Sequence, residues 1–162
     1  LAFSAAPSHW KDAEAPFIHS GEALLTLVRT IGNSNVGLAL DTWNWFVGGG
    51  SLADLTAIPT ESIVSVRLAD IPPDADLTTI ADEERYMPGD GGLIDGPAIV
   101  QQLSESGYAG PLTIYPDPSR FVGMTRDAIV QQTKATFDDL FNPRVPVEAT
   151  GDVAEPVEAA AE

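Results

Sequence analysis

Apolar and polar residues divide this chain into two kinds of segment. Uninterrupted apolar runs such as residues 36–40, which Asp41 closes, predict buried strands, because a half-exposed strand would alternate polar with apolar residues. Between them, apolar residues recur at helical spacing. The predicted strands are residues 36–41, 63–68 and 111–115, preceded by a strand end within residues 1–7, and the predicted helices are residues 21–31, 52–57, 94–106 and 126–141.

The order of these elements predicts an α/β fold. Strand and helix alternate four times, which is typical of right-handed βαβ units and a parallel sheet. A (β/α)8 TIM barrel needs about 250 residues, so the 162 residues here would supply about four β/α units. An open doubly wound sheet has the same alternation, but no glycine-rich nucleotide-binding turn follows the first strand.

Two segments interrupt the alternation, and a third ends it. Residues 46–51 contain three consecutive glycines and residues 72–87 have no clear period, so both are predicted to be loops. From residue 143 onward, small and acidic residues dominate and Pro-Val-Glu-Ala occurs twice. We therefore expect one domain, residues 1–142, and an acidic low-complexity tail, residues 143–162, that is disordered.

The amino-acid composition argues against several classes of binding partner and site. With 24 acidic and 8 basic residues, the formal net charge is −16, which argues against nucleic acid because its phosphates are bound by Lys and Arg. Cys is absent, so disulfides and thiolate metal sites are excluded. No apolar run approaches the ~20 residues of a membrane span, and no basic leader precedes the first strand. We expect no membrane partner and a cytoplasmic location.

Candidate chemistry lies where the predicted strands end. Asp41 closes the strand of residues 36–41, and Arg67 and Asp70 lie at the end of the next one. The carboxyl ends of parallel strands meet at one edge, where α/β enzymes place their active sites. Asp41 and Arg67 could instead form only a structural ion pair, and Asp70 could cap the loop that follows it.

Four segments resemble motifs of the xylose isomerase-like TIM barrels, a superfamily of sugar phosphate isomerases, ketose epimerases, inosose dehydratases and apurinic endonucleases. The resemblance extends over about residues 1–141 and implies strands five to eight of the barrel, its C-terminal half. The segments are residues 35–43 (NVGLALDTW, similar to "nvGl.lDt.H"), 63–70 (IVSVRLAD, "i..vHl.D"), 85–91 (RYMPGDG, "R..pGeG") and 107–114 (GYAGPLTI, "GY.G.lsiE").

The resemblance also implies a metal site that this chain has largely replaced. Active relatives hold one divalent cation, often Mn²⁺ or Mg²⁺, through Glu, Asp, His and Glu at these four strand ends. Carried over, Asp41 is kept, but Ser4, Arg67 and Tyr115 occupy the other three positions. A guanidinium has no lone pair to offer a metal, and a neutral phenol is a poor ligand. We therefore expect no metal cofactor, with the positive charge of Arg67 facing Asp41 in its place.

The resemblance implies a sugar (phosphate) isomerase-like or epimerase-like protein. It would act on or bind a small carbohydrate at the C-terminal mouth of the barrel. The alternative is a non-catalytic relative that serves as a sugar- or protein-binding module. The net charge of −16 speaks against an endonuclease. The predicted catalytic residues are Asp41 and Arg67, and the predicted substrate-binding residues are Trp43, Asn44, Arg85 and Tyr115.

Two of these assignments have structural alternatives. Arg85 could merely tie the long loop to the top of the barrel, and the aromatic residues at the strand ends could serve packing alone. Half a barrel would also leave two sheet edges and one face of the core uncovered. We therefore expect either an N-terminal barrel half upstream of this sequence or a second copy of the chain to cover them.

Overall fold

A computed structural model describes residues 2–3, 18 and 20–143 of the chain. Ser4 and the predicted tail from residue 144 onward lie outside the described residues.

The described residues form a sheet of four parallel strands in sequence order. A barrel segment adds each new strand at the same edge, whereas the order of a doubly wound sheet reverses at a switch point. The topology therefore agrees with the predicted arc of a TIM barrel. The strands are β1 (Ala2–Phe3), β2 (Gly37–Asp41), β3 (Ile63–Leu68) and β4 (Leu112–Ile114).

Three long helices cover the sheet, close to their predicted positions. They are α1 (Gly21–Ile31), α4 (Gly96–Glu105) and α5 (Arg126–Phe141). Helix α1 begins at the N-cap Ser20 and ends at Gly32, whose φ of 60° is left-handed. Helix α4 starts two residues later than predicted because Asp95 is its N-cap.

Two short helices connect β2 to β3. Helix α2 (Thr42–Val47) follows β2 without an intervening loop, so the prediction of a loop from residue 46 was wrong for its first two residues. Helix α3 (Leu52–Leu55) was predicted with its cap: Ser51 accepts the backbone N–H of Asp54, and the Asp54 carboxylate accepts that of Ser51.

The core lies between the sheet and its helices. All five residues of β2 are buried, as its unbroken apolar pattern predicted. Strand β3 differs, because Val66 and Leu68 are buried whereas Val64 and Arg67 are exposed. Within the described part of the chain, one face of β3 is therefore packed against helices and the other is open.

No helix in the described ranges has both the length and the apolar character of a membrane span.

Candidate functional site

The carboxyl ends of β2 and β3 place Asp41 and Arg67 side by side, since these residues are partners in the parallel register. The segment after β3 returns to this edge through an antiparallel bridge between Asp70 and Tyr86. That bridge brings the preceding residue, Arg85, over the strand ends. Strand β4 contributes Tyr115, whose backbone N–H donates to the carbonyl of Leu68 at 2.7 Å.

A buried ion pair between Asp41 and Arg85 forms the centre of the site. Arg85 Nη1 donates to both carboxylate oxygens of Asp41, at 2.9 and 3.1 Å. Asp41 is 3% exposed and Arg85 5%. The carboxylate also accepts the backbone N–H of Asn44 at 3.0 Å and so caps helix α2. Neither oxygen of Asp41 is left without a hydrogen-bond partner.

The expected pairing of Asp41 with Arg67 is therefore wrong. Arg85 reaches across from the loop and takes both oxygens of Asp41. Arg67 is exposed, and its guanidinium carbon lies 4.7 Å from the centre of the Tyr115 ring. Adjacency in the register did not determine the pair: Arg67 stacks on Tyr115, and Arg85 approaches Asp41 from the loop.

The remaining donors of Arg85 are also engaged. Nη2 donates to the side-chain oxygen of Asn44 at 3.3 Å, and both Nε and Nη2 donate to one oxygen of Asp82, at 3.1 and 2.8 Å. Burial alone would lower the pKa of the Arg85 guanidinium. The charge of Asp41 and the hydrogen bonds that Arg85 donates to Asp82 and Asp41 outweigh burial and raise that pKa. Arg85 is thus a permanently charged group held by two carboxylates.

Aromatic rings enclose the ion pair. The Arg85 guanidinium carbon lies 4.4 Å from the centre of a Trp43 ring and 5.6 Å from that of Tyr115. Trp43 is fully buried and donates its indole N–H to the carbonyl of Glu84 at 3.3 Å. Tyr115 is 43% exposed, and the guanidinium of Arg67 also stacks on its ring. The arrangement excludes water from one cation and leaves the other open.

Asp70 shapes the loop that delivers Arg85. It is 1% exposed, and its carboxylate accepts the backbone N–H groups of Ile71, Gly92 and Ile94 at 2.7, 3.1 and 2.9 Å. A Cβ at Gly92 would overlap this carboxylate. Burial raises the pKa of Asp70, although the backbone hydrogen bonds oppose the shift. Of the two roles open for Asp70, the contacts support loop capping.

The structure thus unites five of the six predicted residues in one network, namely Asp41, Trp43, Asn44, Arg85 and Tyr115, with Arg67 stacked on its outer side. Sequence reasoning missed Asp82, the second carboxylate on Arg85. Its signal was the acidic run just before Arg85, in which Asp82 lies three residues away and within reach of the guanidinium.

The described residues do not fit the divalent cation that the predicted family implies. Asp41 is occupied by a guanidinium, and its neighbour in the register, Arg67, has donors but no lone pair. Within the described part of the chain, no cluster of three or more His, Asp, Glu or Cys residues could hold a metal ion.

Comparison with known proteins agrees with the fold. A model of the xylose isomerase-like TIM barrel matches residues 9–139. Inosose isomerase of Bacillus subtilis is 25% identical over 123 residues, which are 76% of this chain and 44% of that protein. The 3-dehydroshikimate dehydratase of Pseudomonas aeruginosa is 32% identical over 98 residues, 60% of this chain and 15% of that protein.

A solved structure is also similar to this chain. The xylose isomerase domain protein from Alicyclobacillus acidocaldarius is 26% identical and superposes with a TM-score of 0.72 over 86% of this chain and 49% of its own. This chain spans less than half the length of each of these three proteins. The family model covers most of the chain and confirms the resemblance of the four motifs. This chain belongs to the xylose isomerase-like TIM barrel family.

Proposed function

We propose that this chain belongs to a sugar isomerase-like or epimerase-like protein that acts on or binds a small carbohydrate at the carboxyl ends of the strands, without a divalent cation at Asp41. The similar proteins include an isomerase of inosose and a dehydratase of 3-dehydroshikimate, which supports a small-molecule site on this fold. Family members place their chemistry at this end of the barrel.

The buried pair of Arg85 with Asp41 is the observation that carries the proposal. A carboxylate that is 3% exposed needs a compensating charge, and Arg85 supplies it with two hydrogen bonds to Asp41. A metal ion would have to displace this guanidinium. It would then leave Arg85 buried with Asp82 as its remaining carboxylate partner.

The same observation favours a second candidate, a non-catalytic sugar-binding relative. A general base needs an oxygen free to take a proton from substrate. Both oxygens of Asp41 accept hydrogen bonds within the protein. Among the described residues, Arg67 and Tyr115 are exposed at the strand ends, and their side chains suit binding through charge, stacking and hydrogen bonds.

Metal content and metal-dependent melting test the cation-free site. We expect the complete natural polypeptide that carries this sequence to retain no metal and to keep its melting temperature when Mn²⁺, Mg²⁺ or Zn²⁺ is added, since a ligand stabilises only what it binds. Retention of one equivalent, lost in Asp41→Asn, would contradict the proposal and restore the ordinary metal-dependent site.

A sugar panel separates catalysis from binding. Turnover of an aldose or ketose that Asp41→Asn abolishes would support the enzyme. Stabilisation by a sugar without turnover would support the binding module. If no member of the panel reacted or stabilised the protein, both candidates would be rejected.

A further inference from the structure

We infer that Arg67 recognises an anionic group, a carboxylate or a phosphate, on the small hydroxylated ligand of this site. The inference rests on the proposed function and specifies its substrate class.

The two guanidiniums at the strand ends differ in their exposure and in their partners. Arg85 is buried and gives its donors to Asp41, Asp82 and Asn44. Arg67 is exposed, and none of the ion pairs among the described residues involves it. A strand-end arginine that has no carboxylate partner among the described residues is open to an external anion.

The ring of Tyr115 holds Arg67 in place. Its guanidinium carbon lies 4.7 Å from the centre of the Tyr115 ring, and that of Arg85 lies 5.6 Å from the same ring centre. Stacking on a ring face leaves the N–H groups at the edge of the guanidinium free. Such a planar fork matches the two oxygens of a carboxylate or phosphate and offers less to a neutral hydroxyl group.

The position of Arg67 in the sheet also suits ligand binding. Arg67 is the register partner of Asp41 and is exposed at the carboxyl end of β3, at the edge where barrels of this kind bind their ligands. Asp41, the nearest carboxylate in the register, is neutralised by Arg85. An anion that approaches Arg67 therefore does not meet an unpaired Asp41.

Matched ligand pairs test the inference by calorimetry on the complete natural polypeptide. D-Glucose is compared with D-glucuronate, in which C6 is oxidised to a carboxylate and the ring is kept, and D-fructose with D-fructose 6-phosphate, which adds a phosphate. We expect the anionic member of at least one pair to bind at least tenfold more tightly than its neutral partner. The pair that shows the preference identifies the group.

Variants assign the preference to Arg67. Arg67→Gln should abolish it, Arg67→Lys should keep part of it, and Tyr115→Leu should weaken it by freeing the guanidinium. Arg29→Gln is the control, because Arg29 is an exposed arginine on helix α1, away from the strand ends. A preference that survives Arg67→Gln, or falls equally in Arg29→Gln, would overturn the inference.

The ligand pairs distinguish failure of the anion inference from failure of the proposed sugar site. If the two members bind equally in both pairs, Arg67 does not recognise an anion, but the proposed sugar site stands. If no member of either pair binds, the sugar site is rejected together with the inference.

Discussion

At the scale of single residues, the site is organised by the way charges are paired. A lone buried carboxylate is costly, so Asp41 at the end of an all-buried strand needed a cationic partner. The sequence identified Asp41 and two arginines, but not which arginine would pair with it. Arg67 was the neighbour in the register, whereas the partnership of Arg85 depends on the path of a long loop that has no periodic pattern to predict it.

Loss of the Arg85 charge should destabilise the protein strongly. Arg85→Met leaves the Asp41 carboxylate buried without a cation, and breaking such a pair costs ~3–5 kcal/mol. Arg67→Met, at an exposed position, should change the free energy of unfolding by no more than about 0.5 kcal/mol. Urea denaturation of both variants measures the difference.

A double-mutant cycle isolates the pair itself. Asp41→Asn keeps a side-chain oxygen for capping helix α2 while removing the charge. Combined with Arg85→Met, it should cost less than the sum of the single changes, because no charge is then left buried alone. Strict additivity would show that Arg85 and Asp41 do not stabilise one another.

Asp70 should make stability depend on pH in a defined direction. Burial raises its pKa in the folded protein above the ordinary value of 3.8, so the folded state binds the proton more tightly than the unfolded state. Stability contributed by this group is therefore lost as the pH rises from the unfolded pKa through the raised folded value. Comparing wild type with Asp70→Asn by urea denaturation from pH 3.5 upward, we expect the advantage of the wild type to shrink across this interval. An advantage that grows with pH would contradict the raised pKa.

At the scale of elements, sequence patterns located the long helices and β3 almost to the residue, because caps and apolar spacing agreed there. Helix α2 was missed because the residues of its sequence Thr-Trp-Asn-Trp-Phe-Val, apart from Asn44, favour strands by intrinsic preference. Tertiary contacts decide instead. Asp41 caps the helix, Thr42 exchanges hydrogen bonds with the backbone of Ala69, and Trp43 is fully buried.

The junction of α1 with α2 should not tolerate a methyl group. Alanine normally favours a helix over glycine by about 1 kcal/mol. At Gly21, however, a Cβ would overlap the ring of Trp45, which is buried and donates its indole N–H to the carbonyl of Ser51. We expect Gly21→Ala to destabilise the protein by ~1–3 kcal/mol, as overpacking does.

The matched control lies on the same helix. Thr26 is exposed on α1, so Thr26→Ala should leave stability unchanged or raise it slightly. Thermal melting of the two variants compares them directly. Equal melting temperatures would mean that Trp45 moves aside at no cost.

At the scale of the whole molecule, the predicted barrel arc is present, but its inner surface is open within the described residues. Sequential parallel order followed from the strand and helix alternation and is confirmed by the family. The open face could be expected from the count of four strands, since closing a barrel of this kind takes eight. The apolar pattern of half a barrel does not show which surface covers this open face.

We predict that the 162-residue chain alone associates through this open face. Val64 lies on β3 and is 40% exposed, and β4 pairs only with β3 among the described strands. Exposed apolar strands with unpaired edges promote association. Analytical ultracentrifugation should find dimers or larger species, and Val64→Lys should shift them toward monomer because a charge on each copy opposes contact. Val122→Lys, at an 82% exposed position in a loop after β4, should have no such effect. A monomer that unfolds cooperatively at every concentration would show that the chain needs neither a second copy nor a further barrel half to cover its core.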